Sequence, residues 1–250
     1  MFSSVSFGIF LPFFGTALGA FIVYFGGKTI SAKSRVALYG LASGVMIAAS
    51  VFSLLLPALA DESTRLPQPS PVLLGFILGV IFLRLTAKMI DKKTKKENGK
   101  KPRIKAADLS IIVHNVPEGM AVGVAFAGVI ATGEGTFAEP FALALGIAIQ
   151  NFPEGAIISL PLFADGHSKH RAFLLGALSG IVEPLAAVLT LFAIGKITVF
   201  LPYCHGFAAG AMIDAVTSEL LPDIGKENAP LCSLFFSLGF CLMMSLDVVF

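Results

Sequence analysis

Two stretches of this chain leave little choice of fold. Residues 1–27 and 36–60 carry no charged side chain. Each is long enough to cross about 30 Å of hydrocarbon as a helix, which takes roughly 20 residues. Buried in lipid, a helix satisfies its own peptide groups internally. Over the 250 residues, 56% are hydrophobic and only 14% are charged, against about a quarter charged in a soluble domain. The class is therefore an integral membrane protein. The first run lacks a basic start and exceeds the ~7–15 apolar residues of a signal-peptide core, so it reads as a retained first span.

The whole chain, 1–250, reads as a single all-α transmembrane domain. Eight apolar segments are expected to span, at about 5–25, 36–59, 70–90, 108–131, 138–163, 172–195, 199–221 and 230–249. Most connections are marked by Gly, Pro or charge, as in "GGKTISAKSR" and "DESTRLPQPSP". The longest runs over 91–107 and contains the basic stretch "DKKTKKENGKKPRIK". Charge sets the orientation, because cytoplasmic loops are rich in Lys and Arg. With the N-terminus outside, sixteen of the eighteen Lys and Arg fall inside and only Arg65 and Lys196 outside. Both termini are then extracytoplasmic and the basic 91–107 loop is cytoplasmic. Arg84 and Lys88 lie near the inner end of the third segment, where long side chains snorkel to water. Cys204, Cys232 and Cys241 have no C-x-x-C or metal-ligand spacing and read as small apolar filler.

Two internal echoes carry the functional information. His114-Asn115-Val116-Pro117-Glu118-Gly119 in the fourth segment matches Gln150-Asn151-Phe152-Pro153-Glu154-Gly155 in the fifth. More weakly, "GVMIAASVFSLLLP" (44–57) in the second matches "GAMIDAVTSELLP" (210–222) in the seventh. Each echo relates segments that run in opposite directions. That is the mark of inverted repeats, which in transporters place the substrate site near the midplane.

On a helix, residues three or four apart share a face. His114, Asn115 and Glu118 therefore point one way, as do Gln150, Asn151 and Glu154. Pro117 and Pro153 are expected to kink their helices and release the carbonyls of Val113 and Ile149. Gly119 and Gly155 are expected to let helices approach closely. At 1.5 Å per residue, Glu118 lies about 15 Å into its segment, near mid-bilayer. Glu154 and Glu183 are similarly deep, and Glu183 also precedes a proline. A charge there costs about 2.5–3.5 kcal/mol even on lenient insertion scales. No Lys or Arg lies at that depth to compensate, whereas one or two divalent cations would. The same carboxylates could instead serve a proton relay.

H-N-x-P-E-G, x-N-x-P-E-G and S-G-x-x-E-P, at residues 114–119, 150–155 and 179–184, resemble the signature of the ZIP family of divalent metal transporters. The short chain with both ends outside is similar to its bacterial ZupT-like branch. The resemblance implies a 3+2+3 arrangement, with the first three helices related by inversion to the last three around helices four and five. It also implies two adjacent metal sites. His114, Glu118, Gln150 and Glu154 would form one; Asn115, Glu118, Asn151, Glu154 and Glu183 the other, with Glu118 and Glu154 bridging. Met46 and Ser53 match positions at the family's outer entrance. Glu219 and Asp214 would line the inner exit, with helix packing or a hydrogen bond the alternative for both. Gln150 and Asn151 depart from the His and Asp carried by many members, which makes the centre harder and less anionic. The basic loop lacks the histidines common there in the family. His167 and His170 form an H-x-x-H pair whose default reading is solvated polar residues.

The expected function is import of divalent metal ions into the cytoplasm across the cell membrane. One imidazole with carboxylate and amide oxygens suits Zn²⁺, Fe²⁺, Mn²⁺ and Co²⁺, with Cd²⁺ as an intruder. The metal is cargo; no prosthetic group is expected. The lipid bilayer is the other partner, nucleic acid is not one, and a homodimer is an open option. The rival class is an intramembrane metal-dependent hydrolase in which Glu118 or Glu154 activates a metal-bound water.

Overall fold

The computed structural model describes residues 2–25, 31–60, 69–96, 106–133, 136–194, 198–222, 224 and 228–249. The middle of the basic loop, 97–105, lies outside the described residues, as do Lys28, Arg65, Lys196 and Lys226. Every regular element among the described residues is helical. In chain order these are α1 (Phe2–Phe21), α2 (Ala32–Ala48), α3 (Leu56–Ala60), α4 (Ser70–Lys96), α5 (Ala106–Thr132), α6 (Ala138–Ala164), α7 (Lys169–Ser179), α8 (Val182–Ile194), α9 (Leu201–Ala215) and α10 (Ala229–Val249).

Local chemistry sets several of the boundaries. The Ser31 hydroxyl accepts from the Ser34 N–H at the start of α2, and Ser168 does the same for Arg171 at the start of α7. Pro202 sits in the first turn of α9, where a missing N–H costs nothing. Gly166 turns the chain between α6 and α7 at a φ of 97°, which favours glycine.

Seven stretches among the described residues are long and apolar enough to span: Ser4–Tyr24, Ala32–Ala60, Ser70–Ile90, Ile112–Thr132, Ala138–Ala164, Lys169–Ala193 and Ala229–Val249. The seventh expected segment, 199–221, is helical but is not among them. It carries His205, Asp214 and Glu219, which lower its hydropathy. The fourth helix runs to Lys96, so the connection begins later than 91.

The long segments are less regular than their hydropathy implies. The second segment passes from α2 into a π-helical stretch, Ala49–Leu55, before α3. The seventh passes from α9 into another, Val216–Leu220. These are the two halves of the weaker sequence echo, so the repeat is one of backbone distortion as well as residue type. The sixth segment is broken between α7 and α8. By contrast, α5 and α6 run on through Pro117 and Pro153 as single helices.

Glycine decides the packing. The closest helix pairs are α1 with α6, α4 with α9, α2 with α10, and α5 with α8. At each crossing, glycines abut the partner's backbone: Gly15 and Gly19 on α6, Gly75 and Gly79 on α9, Gly40 and Gly44 on α10, Gly119 and Gly123 on α8. Small residues four apart let helices touch in lipid, where no hydrophobic force drives them together. Depth in the bundle then separates the helices. In α6, 72% of the apolar window is buried, against 17% for α4 and for α10. The helix carrying Gln150, Asn151 and Glu154 is central, and the outermost helices carry none of the expected site residues.

Candidate metal centre

The two P-E-G helices do not simply face each other. Gly119 abuts the backbone of Glu183 on α8, and Gly155 abuts the backbone of Thr16 on α1. Each motif glycine thus seats its helix on a different neighbour, and α5 and α6 meet each other only lightly. The expected ligands consequently come from α5, α6 and α8, with α6 seated on α1. Spacing within one helix reveals a shared face but not the partner that covers it.

All seven expected ligands are buried. Asn115, Glu118, Gln150, Asn151 and Glu183 are completely so, with His114 at 7% and Glu154 at 6% exposure. Three carboxylates lie within range of one another's charge: Glu118 feels both Glu154 and Glu183, and Glu183 feels Glu154. Glu154 also interacts with His114 and Glu219. No Lys or Arg occurs anywhere in residues 106–168 or 172–195. Among the described residues no group of three or more His, Cys, Asp or Glu side chains is arranged to hold a metal ion by itself. The buried polar cluster also includes the amide groups of Asn115, Gln150 and Asn151.

The break between α7 and α8 explains how Glu183 reaches the centre. Pro184 has no N–H to offer the carbonyl of Gly180. The Glu183 N–H takes that carbonyl instead, at 3.1 Å, and so abandons the carbonyl of Ser179. Asn115 fills the gap, its amide N–H donating to the Ser179 carbonyl at 3.2 Å and to Glu183 Oε1 at 3.1 Å. Two acceptors on one side require the NH₂ group there, which fixes the amide and leaves its oxygen directed elsewhere. Thr16 donates a further hydrogen bond to the same Oε1, at 3.1 Å.

What remains is a set of buried polar atoms without partners. Asn115 Oδ1, both oxygens of Glu118, both polar atoms of Gln150, Asn151 Oδ1, Glu154 Oε2 and Glu183 Oε2 make no hydrogen bond. Gln150 comes close enough to Glu118 to influence it, yet no bond of ordinary geometry forms between them. These are eight of the ten such atoms among the described residues. Leaving one unsatisfied costs about 1–3 kcal/mol. They are concentrated in six side chains from three helices.

The remaining expected residues divide clearly. His114 Nε2 pairs with Glu219 Oε1 at 2.8 Å, so Glu219, in the π-helical stretch, joins the edge of the centre. Asp214 pairs with the Nε of Arg84 at 2.8 Å. Arg84 therefore anchors α4 to α9 and does more than snorkel. Ser53 donates to Asp247 at 2.7 Å. Both line a cavity of about 510 Å³ at the end of the bundle where α5 passes into α6, together with Glu139 and His205. Met46 instead lies inside the hydrophobic core, where its carbonyl accepts from Ser50. His170 bonds the Tyr24 hydroxyl at 3.1 Å, and Lys169 donates to the Tyr24 carbonyl. His170, one half of the H-x-x-H pair, thus helps tie α7 to the residues that follow α1. All three cysteines are unpaired.

Sequence reasoning missed Thr16, Arg84 as a partner, and Asp247. Each is joined to its partner across more than 120 residues, and neither Thr16 nor Asp247 stands in either echo. The glycines were more accessible, since Gly15, Gly40, Gly75 and Gly206 each begin a G-x-x-x-G.

Known proteins match this chain closely. A family model described as "ZIP Zinc transporter" matches residues 91–247. The "Zinc transporter ZIPB" of Bordetella bronchiseptica is 38% identical over 248 residues, covering 94% of this chain and 77% of that one. The "Zinc transporter GufA" of Myxococcus xanthus is 33% identical over 249 residues, covering 93% of each. The human "Zinc transporter ZIP11" is 44% identical over 147 residues, or 58% of this chain and 43% of that protein. The chain thus matches less than half the length of this longer relative.

Proposed function

The chain belongs to the ZIP zinc transporter family, and we propose that it carries divalent metal ions into the cytoplasm through the centre formed by α5, α6 and α8. It is a multi-pass membrane protein, and the matching relatives are named transporters rather than hydrolases. The observation that carries the proposal is the cluster of unpartnered buried atoms on Asn115, Glu118, Gln150, Asn151, Glu154 and Glu183. Carboxylates gathered without a cation repel one another. A divalent ion entering between them would draw the oxygens inward and satisfy most of them at once.

The donor chemistry sets the cargo. Carboxylate and amide oxygens with a single imidazole favour borderline-to-hard ions: Zn²⁺ foremost, with Fe²⁺, Mn²⁺ and Co²⁺ also accommodated. His114 gives Nε2 to Glu219, so it would meet an ion through Nδ1, or through Nε2 by leaving that partner, and either way it links the centre to the Glu219 side. Glu118 and Glu154, between the histidine side and the Glu183 side, would bridge two adjacent ions. The route in begins at the cavity of Ser53, Glu139, His205 and Asp247, on the outer face if the basic segments are cytoplasmic.

The segment 199–221 completes eight spans, with both termini outside and helices one to three related by inversion to six to eight. Its polar residues face protein: Asp214 is buried against Arg84 and Glu219 meets His114. The matched π-helical stretches, Ala49–Leu55 and Val216–Leu220, support that inversion. Movement of one helix group against the other would expose the centre alternately to the two sides, as a single chain or as a homodimer. A cytoplasm-negative potential favours inward movement by about 2.3 kcal/mol per charge per 100 mV.

Reconstitution tests the reading. Purified protein in metal-free liposomes should take up Zn²⁺, and Glu118→Ala should reduce uptake to the level of empty vesicles. Absence of uptake across a panel of Zn²⁺, Fe²⁺, Mn²⁺ and Co²⁺, or full uptake by the variant, would overturn it.

A further inference from the structure

Hydroxyl side chains in these helices mostly bond to their own helix. Ser50 donates to the Met46 carbonyl, Thr86 to Phe82, Thr132 to Gly128, Thr217 to Ile213 and Ser237 to Ser233, each one turn back. This is the ordinary choice for Ser and Thr where water is absent. Thr16 departs from it. It is completely buried in α1, yet its hydroxyl crosses to the Glu183 carboxylate on α8. The carbonyl one turn behind it, that of Pro12, is approached instead by the Asn151 amide at 3.5 Å. Thr16 thus sits between two residues of the proposed centre, with Asn151 at the carbonyl one turn behind it and Glu183 on its hydroxyl.

The surroundings hold it there. A Cβ on Gly180 would come 2.7 Å from the Thr16 hydroxyl oxygen and 2.8 Å from its Cβ. The Thr16 carbonyl is the surface on which Gly155 rests. The α7–α8 break, the motif glycine of α6 and this one threonine meet at a single point of α1. Glu183 Oε1 then carries two donors, from Thr16 and Asn115, and Oε2 carries none.

We propose that Thr16 is a positioning residue of the metal centre. Its hydroxyl, with the Asn115 amide, commits one Glu183 oxygen to the protein and presents the other to the ion. The proposal rests on the reading that Glu183 contacts transported metal, and it adds α1 to the elements that shape the site. A carboxylate held this way offers one oxygen in one direction. Without Thr16 it is free to turn away from the ion and to spend its oxygens on neighbouring protein donors.

Zn²⁺ binding to the purified full chain in detergent tests this, with uptake into liposomes alongside. Thr16→Val keeps the shape and removes the hydroxyl; Thr16→Ser keeps the hydroxyl. Thr16→Val should weaken Zn²⁺ binding about tenfold, because binding must then order the Glu183 carboxylate that the wild type already holds in place. Thr16→Ser should bind as the wild type does. In a Glu183→Ala background, Thr16→Val should make no further difference, because it acts through that carboxylate. Unchanged binding in Thr16→Val overturns the proposal. So does an equal loss in Thr16→Ser, or a loss that persists without Glu183, since either would make Thr16 a packing residue. A wild type that binds and transports no metal defeats the underlying reading first and this proposal with it.

Discussion

The helices α1, α5, α6 and α8 treat buried polar groups differently from α2, α4, α9 and α10. In the second group, with the π-helical stretch that follows α2, the carboxylates each hold a partner, Asp247 with Ser53 and Asp214 with Arg84, and only Ser43 Oγ and Asp214 Oδ2 are buried without one among the described residues. In the first group, eight buried polar atoms have no partner, although Thr16, Asn115 and the helix break at Gly180 show that local hydrogen bonding is well organised there. Both groups pack by the same glycine crossings, so packing does not explain the difference. A membrane protein can satisfy a buried carboxylate with a neighbour or leave it for a ligand. The paired set holds helices together, and the proposed role of the unpaired set is to meet an ion.

The sharpest break of this contrast is a substitution in the unpaired set. Glu154→Gln should reduce Zn²⁺ uptake to background in liposomes while the protein purifies as a folded species. A variant that loses folding together with uptake would place Glu154 in the structural set instead. Next comes the packing common to both groups. Gly155→Val forces a side chain into the Thr16 backbone, and overpacking of this kind costs about 1–3 kcal/mol or more. It should lower the yield of monodisperse protein more than Glu154→Gln does, as read by size-exclusion chromatography.

Smaller effects probe the paired set. Arg84→Ala leaves Asp214 buried without its cation, a loss of about 1–2 kcal/mol given how exposed the arginine is. The expected result is a lower melting temperature with Zn²⁺ affinity unchanged. Ser53→Ala removes one hydrogen bond to Asp247, worth about 1 kcal/mol. It should alter the concentration dependence of uptake more than the affinity of the centre, since both residues line the cavity and not the centre.

Much of the first group was legible in the sequence. Helical period placed His114, Asn115 and Glu118 on one face, and a proline two residues before a glycine marked both motifs. Glu183 stood out as a charge in a long apolar run. Periodicity stops at the helix surface, however. Nothing local says that Gly119 rests on α8 and Gly155 on α1, or that Asn115 takes the carbonyl freed by Pro184. The π-helical stretches were visible only as a faint echo between residues 44–57 and 210–222, because an extra residue in a helical turn leaves no compositional trace. The prolines alone do not say which helix is interrupted. Pro117 and Pro153 lie within unbroken helices, while Pro184, beside a glycine four residues earlier, accompanies the real break.

The most direct test of the contrast is thermal stability with and without Zn²⁺, since an ion that binds only the folded state must raise its melting temperature. The wild type should melt higher in Zn²⁺. Glu118→Gln, which replaces a buried carboxyl that makes no hydrogen bond, should melt no lower than the metal-free wild type and gain nothing from Zn²⁺. A wild type indifferent to Zn²⁺, or a Glu118→Gln protein stabilised by it as strongly as the wild type, would contradict the claim that these atoms are kept for a metal.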